Sequence, residues 1–395
     1  MRTREELEQA PQMGREQARE CLRRTVGLVE QYVPEFTDCF PASNSENGYY
    51  PKSDNTEWTT GFWTGEIWLA YEAEEDPAKQ ALLRAAGETQ VESFLDRIIR
   101  RVDVDHHDMG FLYTPSCVAA DMLTGNETAR RAALLAADNL MARFHEKGQF
   151  FQAWGALGAR DNYRLIIDCL LNMPLLFWAS RVTERSEYAD RARAHINTAM
   201  NYVIRDDHST YHTYFFDPET GAPVRGVTHQ GHRDGSAWSR GQAWGIYGSA
   251  LSYREVRNPE YIDIFRKVTD YFLTHLPSDL IPYWDFDFDD GSSEPRDSSS
   301  AAIAACGMLE MCKYLEADEA AWYEGMAKRL MWALERSCAV KPGDASNGLL
   351  LHGTYARASE HNPCTNRGVD ECNTWGDYFY MEALTRLAGD WVTYW

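Results

Sequence analysis

Asp168 stands in the run Ile166-Ile-Asp-Cys-Leu-Leu-Asn-Met-Pro-Leu-Leu176, an acid among apolar residues with no basic residue nearer in sequence than Arg164. Read as part of a helix over 164–182, that carboxyl group is buried without a local partner. An unpaired buried carboxylate is costly, so the group keeps its proton near neutral pH, the state a general acid needs. The plainer alternative is an Asp held by ordinary hydrogen bonds. A second acid, Asp108, lies in His106-His-Asp-Met-Gly-Phe-Leu-Tyr113, just ahead of an aromatic helix. By itself this motif favours a helix-capping carboxylate. A metal site on His106-x-Asp108 is weaker still, because no second histidine motif supports it; no metal and no cofactor is expected.

The stretch Trp238-Ser-Arg-Gly-Gln-Ala-Trp244, running on to Gly248, sets a guanidinium between two indoles. Ser239 with Gln242 reads as a capping box, which starts a helix here. Arg240, Trp244 and Gly248 then share one face. A planar cation beside aromatic rings suits a carboxylate carried on a flat ring, such as a uronic acid; a buried aromatic helix with a surface Arg is the competing reading. Tyr211-His212 and Thr228-His-Gln230-Gly-His-Arg233 flank a predicted hairpin and read as a binding flap.

The elements that must position these residues are helices in pairs. Outer and inner partners are predicted at 14–33 with 59–75, 77–101 with 109–124, and 127–146 with 164–182. The remaining pairs are 186–204 with 239–255, 259–275 with 298–315, and 319–338 with 374–388. The first member of each pair carries charge on one face; the second interleaves small and aromatic residues. Six repeats of a two-helix unit predict an all-α (α/α)6 barrel, a closed toroid formed as one domain over residues 1–395. Short β excursions are expected at the rim: a hairpin of Thr210–Phe216 and Val224–Thr228 turning at 217–221, and extended pieces near 149–154, 283–288 and 349–355. The polar residues that stand out, Trp58, Trp63, His107, Asp108, Asp168, Trp238, Arg240 and Asp377, fall where inner helices begin, so a toroid would gather them on one rim.

Bulk composition narrows the partners. Thirty-nine basic against 60 acidic residues leave a formal charge of −21, which argues against nucleic acid and anionic membranes. Thirteen Trp, 21 Tyr and 16 Phe exceed what a core of this size needs and suit a carbohydrate cleft. The nine cysteines show no CxxC spacing, which predicts free thiols in a reducing compartment. With no apolar leader core in MRTREELEQAPQ and no membrane-length apolar run, a cytoplasmic monomer or weak homo-oligomer is expected.

The ordered motifs Trp58-Thr-Thr-Gly-Phe-Trp63, His-His-Asp108-Met-Gly-Phe-Leu-Tyr, Ile-Ile-Asp168-Cys, Tyr-His212-Thr-Tyr-Phe-Phe-Asp, His-Gln230-Gly, Trp238-Ser-Arg-Gly-Gln-Ala-Trp244 and Trp375-Gly-Asp-Tyr-Phe-Tyr380 resemble the unsaturated glucuronyl hydrolases of glycoside hydrolase family 88. The resemblance covers nearly the whole chain and implies an (α/α)6 barrel. It implies release of a 4,5-unsaturated uronic acid from the non-reducing end of lyase-generated oligosaccharides, by hydration of the C4=C5 bond. Asp168 would be the general acid/base and Asp108 the second acid. His107, His212, Gln230 and Arg240 would supply polar contacts, Arg240 held mainly by the substrate carboxylate, with Trp63, Trp238 and Trp244 as aromatic walls. Members that prefer sulfated chains carry Arg-x-x-Ser-x-Lys near the last inner helix. This chain has Arg367-Gly-Val-Asp-Glu-Cys372, which predicts a preference for unsulfated ends, or sulfate tolerated elsewhere. An unsaturated rhamnogalacturonyl hydrolase, and at greater distance a polysaccharide lyase or a non-catalytic sugar-binding protein, are the alternatives.

Overall fold

In a computed structural model describing Met1–Trp395, six helices form an inner ring and six an outer layer. The inner helices are Thr60–Ala73, Met109–Thr124, Met173–Thr183, Ser239–Val256, Ser298–Met311 and Thr374–Ala388. Each packs on the next, and the last returns to the first, closing the ring. Arg15–Phe36, Pro77–Arg100, Glu127–Met141, Ser186–Tyr202, Glu260–Thr274 and Ala317–Ser337 lie outside. The (α/α)6 expectation holds, but the pairing is corrected: each inner helix packs chiefly on the outer helix that follows it, as Ser239–Val256 does on Glu260–Thr274, and Thr374–Ala388 closes on Arg15–Phe36.

The division follows from the side chains. Every residue from Thr60 to Ala70 and from Ser239 to Ser252 is buried, as a helix surrounded by other helices requires. Small residues let the backbones close up: a Cβ on Gly61 would lie 2.3 Å from the Phe111 carbonyl oxygen. The second inner helix widens into a π-helical turn at Thr114–Val118, where Pro115 has no N–H to give to Phe111 four residues back. The barrel axis is filled with aromatics. Phe111 packs on Trp58 at 5.5 Å, on Trp244 at 5.3 Å and edge-on to Trp395 at 6.1 Å. Trp395 in turn stacks on Phe379, and its Nε1 donates to Glu382 at 2.7 Å, so the end of the barrel opposite Trp58 is plugged.

Excursions between pairs supply the rim. Arg164–Ile166, Thr213–Phe216 and Pro223–Val227 form a three-stranded antiparallel sheet, Ile166 opposite Thr213 and Thr213 opposite Val227. The predicted turn forms at 217–221, with Asp217 Oδ1 accepting the Glu219 and Thr220 N–H groups at 2.9 Å. Gly353–Ala356 pairs with Arg367–Glu371. The continuous helix expected over 164–182 is corrected: 164–166 is a strand, Ile167–Leu171 a 3-10 helix, and the α-helix begins at Met173. Pairing with Thr213–Phe216 claims the backbone that a longer helix would have used, and Pro174 suits a first turn. The nine cysteines are free, and no helix is long and apolar enough to cross a membrane.

Candidate active site

Two chain segments bring the acids together. Asp108 immediately precedes Met109–Tyr113, yet its side chain makes no capping bond, which sets aside the reading its motif favours alone. Its carboxylate turns to histidines: Oδ2 lies 3.2 Å from His106 Nδ1, and Oδ1 3.2 Å from His107 Nε2. Asp168 projects from the 3-10 helix, and its Oδ1 lies 3.5 Å from that same His107 Nε2. His107 therefore stands between the two carboxyls. Its own Nδ1 is buried without a partner, as is Asp168 Oδ1.

Asn172 fixes the two segments against each other. Its Oδ1 accepts the Phe111 N–H at 3.0 Å, leaving the amide nitrogen towards Asp108. A Cβ on Gly110 would meet Asn172 Cα at 2.3 Å, so only glycine permits this approach. Across the site, the Ile167 N–H donates to the His212 carbonyl at 3.0 Å, tying the Asp168 segment to the flap.

The environment separates the two acids. Burial, then the Asp108 charge, pushes Asp168 well above the ordinary carboxylate range, against the opposing pull of Arg240. Asp108 feels burial too, but His107 and His106 outweigh it and hold it below the usual range. Burial takes His107 down to about 4, so the ring is neutral at working pH. Their surroundings thus bias one carboxyl towards its protonated form and its neighbour towards the carboxylate, with a neutral imidazole between them. The side chains are 17% and 14% exposed for Asp168 and Asp108, enough for each to present an edge to the cavity.

Most of the other expected residues surround this trio, in places other than foreseen. His212 Nδ1 accepts the His229 and Gln230 N–H groups at 3.1 and 2.9 Å. The proton of the neutral ring therefore sits on Nε2. Its face lies 4.3 Å from the Trp238 ring. Gln230 Nε2 donates to the Tyr355 carbonyl at 2.8 Å. Arg240 is not a surface cation, and no capping box starts its helix. Gln242 instead accepts from Thr210 N and donates to the His208 and Val268 carbonyls, while Ser239 Oγ has no partner. The Arg240 guanidinium is ion-paired with fully buried Asp297 and donates to the Thr354 and Tyr355 carbonyls at 2.7 and 2.6 Å. Trp238 and Trp375 lie 4.5 and 4.9 Å from it. The expectation that a substrate carboxylate chiefly engages Arg240 is corrected, because Asp297 already does.

Trp63 is also corrected. It packs edge-on to Phe36 at 5.6 Å and donates to the Phe36 carbonyl at 3.2 Å, between the inner ring and the outer helix Arg15–Phe36. Trp58 takes the wall position, stacked on Trp375 at 5.3 Å with its Nε1 donating to Tyr355 OH at 2.9 Å. Trp244, 1% exposed, lies beneath Phe111 as floor. Asp377, placed on the rim by sequence, is buried and accepts from Tyr50 OH and Leu350 N. Asp297, Tyr355, Trp375 and Asn172 were not foreseen as site residues. Only Asn172, a polar residue four after Asp168 in an apolar run, carried a signal that could have found it.

Known proteins agree with this architecture. Residues 30–310 match the model of Glycosyl Hydrolase Family 88. The chain is 46% identical to an unsaturated chondroitin disaccharide hydrolase of Streptococcus pneumoniae over 98% of this chain and 96% of that one. The crystal structure of an unsaturated glucuronyl hydrolase from Streptococcus agalactiae superposes with a TM-score of 0.93 at 44% identity, covering 100% of this chain and 97% of that one. A variant of that enzyme crystallised with dGlcA-GalNAc6S matches at TM-score 0.85 and 41% identity, over 100% and 97%. With a closed helical barrel, two neighbouring carboxyls biased towards opposite protonation states, and these relatives, the chain belongs to Glycosyl Hydrolase Family 88.

Proposed function

We propose that the protein removes 4,5-unsaturated uronic acid from the non-reducing end of glycosaminoglycan-type oligosaccharides, with Asp168 as general acid and base. The observation that carries this reading is the convergence of Asp168 and Asp108 on His107, in surroundings that favour the protonated form of the first and the ionised form of the second. The C4=C5 bond of such a sugar is a vinyl ether. Asp168 gives its proton to C4, and the positive charge that forms at C5 is shared with the ring oxygen. Water then adds at C5 and gives a proton back to the Asp168 carboxylate. The resulting hemiketal opens to a ketone, which leaves C1 as a hemiacetal that expels the remaining sugar. One carboxyl serves both steps, so the carboxylate-separation rule for ordinary glycosidases does not apply. Asp108 keeps the proton on Asp168 at rest by like-charge repulsion, and His107, donating from Nε2, keeps Asp108 ionised.

His212 Nε2–H and the free Gln230 Oε1 are the polar groups offered to the sugar, with Trp238 and Trp58 as stacking faces. Arg240 acts through its field and by holding Trp238 and Tyr355 in place; direct capture of a carboxylate would require displacing Asp297. Arg367 pairs with Glu57 and Asp370 with His352, so this edge offers no unpaired cation, in keeping with unsulfated ends as the preferred substrate. We place the protein in the cytoplasm as one catalytic domain, a reading supported by nine free thiols. Asp168→Asn should lower kcat by about 10³-fold while substrate still binds, followed by the ultraviolet absorbance of the double bond; near-normal turnover would refute the assignment.

A further inference from the structure

The same three side chains carry a property the hydration chemistry does not use. His107 Nε2, one Asp108 oxygen and one Asp168 oxygen lie within 4.8 Å of one another, with His107 Nε2 at 3.2 and 3.5 Å from the two oxygens. Ligand atoms around a tetrahedral zinc ion, at bond lengths of about 2.0–2.2 Å, are about 3.3–3.5 Å apart. Two of the three spacings already match, and rotation of either carboxyl shortens the third. His107 is 1% exposed, its Nδ1 meets no partner, and Asp168 Oδ1 is likewise unpartnered. The Asp108 carboxylate at 3.2 Å holds the imidazole proton on Nε2; a bound cation would displace it to Nδ1 and use the inner nitrogen as a lone-pair donor. The exposed edges of both carboxyls leave a path in from the cavity. The sequence raised a metal site only through His106-x-Asp108 and set it aside; the third donor lies 60 residues beyond Asp108 along the chain.

We propose that His107, Asp108 and Asp168 form a three-donor site for a borderline transition-metal cation of the Zn²⁺ type, with a fourth position open to water. Binding requires Asp168 to give up its proton, because only the carboxylate ligates. Mg²⁺, which demands six oxygen donors and holds its water, is excluded by the imidazole and the small donor number. If the proposed hydrolase activity is correct, the ion inhibits it competitively, by occupying the carboxyl that must protonate C4; the binding itself does not rest on that reading.

The test is calorimetric titration of the full chain with ZnCl₂, with the ion located by anomalous diffraction at the zinc edge. The three partly exposed thiols, Cys39, Cys312 and Cys364, are blocked beforehand so that they do not compete. The expected result is one ion per chain between His107 and the two carboxyls. Asp168→Asn and Asp108→Asn should each weaken binding at least about tenfold, and MgCl₂ should give no heat. An anomalous peak elsewhere, or zinc affinity unchanged in both variants, overturns the proposal. Zinc bound at this position without competitive inhibition would leave the metal site standing and instead count against Asp168 as the catalytic acid.

Discussion

Asp108 and Asp168 are the same side chain biased towards opposite protonation states, and the difference is made by what each one touches. Asp108 meets two imidazoles; Asp168 meets a neighbouring charge, apolar walls and no donor at Oδ1. Activity needs Asp168 protonated, so kcat/KM should fall as pH rises through its elevated pKa, and fall again at low pH as Asp108 is neutralised. In Asp108→Asn the neighbouring charge is gone. The alkaline limb should therefore move to lower pH, read from the pH–rate profile of whatever activity remains; an unmoved limb would show that Asp108 does not set the proton affinity of Asp168. The sequence exposed Asp168 because an acid in an apolar run is chemically conspicuous. It misdirected on Asp108, because a carboxylate at a helix start has a cheaper explanation, and only the positions of His106 and His107 in space displace it.

Helices were legible because burial on all sides and burial on one side leave different residue patterns. The break at 164–172 was not, since it depends on a strand supplied by Thr213–Phe216, far along the chain. Trp63 escaped for a related reason. A helix buried all round has no apolar face, so periodicity does not say which of Trp58 and Trp63 looks into the cavity. Arg240 looked like a ligand-binding cation because its partner Asp297 is 57 residues away. That pair changes the expected behaviour of the helix Ser239–Val256. Arg240→Ala leaves Asp297 buried and unpaired, and should cost about 3–5 kcal/mol of stability, seen in chemical denaturation, in addition to any rise in KM. A raised KM with unaltered stability would mean that the ion pair is dispensable and the guanidinium is used on the substrate.

At the level of the molecule, the charge of −21 and the paired edge at Arg367–Cys372 both disfavour polyanionic ligands. Unsaturated chondroitin disaccharides without sulfate should be cleaved with higher kcat/KM than their sulfated forms; the reverse order would refute the reading of that edge. The barrel also encloses histidines that it keeps neutral. His195 is fully buried, its Nδ1 accepts the Phe151 N–H at 3.0 Å, and burial takes it down to about 3. An unfolded chain gains that proton below the ordinary histidine value of 6.5, so this contribution to stability is complete above that pH and is lost as pH falls towards the folded value. His195→Gln removes the titration. The stability gap between wild type and variant should narrow by about 2 kcal/mol between about pH 7 and about pH 5, measured by denaturant unfolding at each pH; a constant gap would show that His195 is not held neutral.

The column of rings from Trp58 through Phe111 to Trp395 decides what kind of polymer this barrel handles. A barrel blocked at one end admits a chain only by its tip, so an interior linkage of a long polysaccharide cannot reach Asp168. Product and incoming substrate must also share a single doorway. Turnover is then one sugar per visit, with the shortened chain backing out the way it entered.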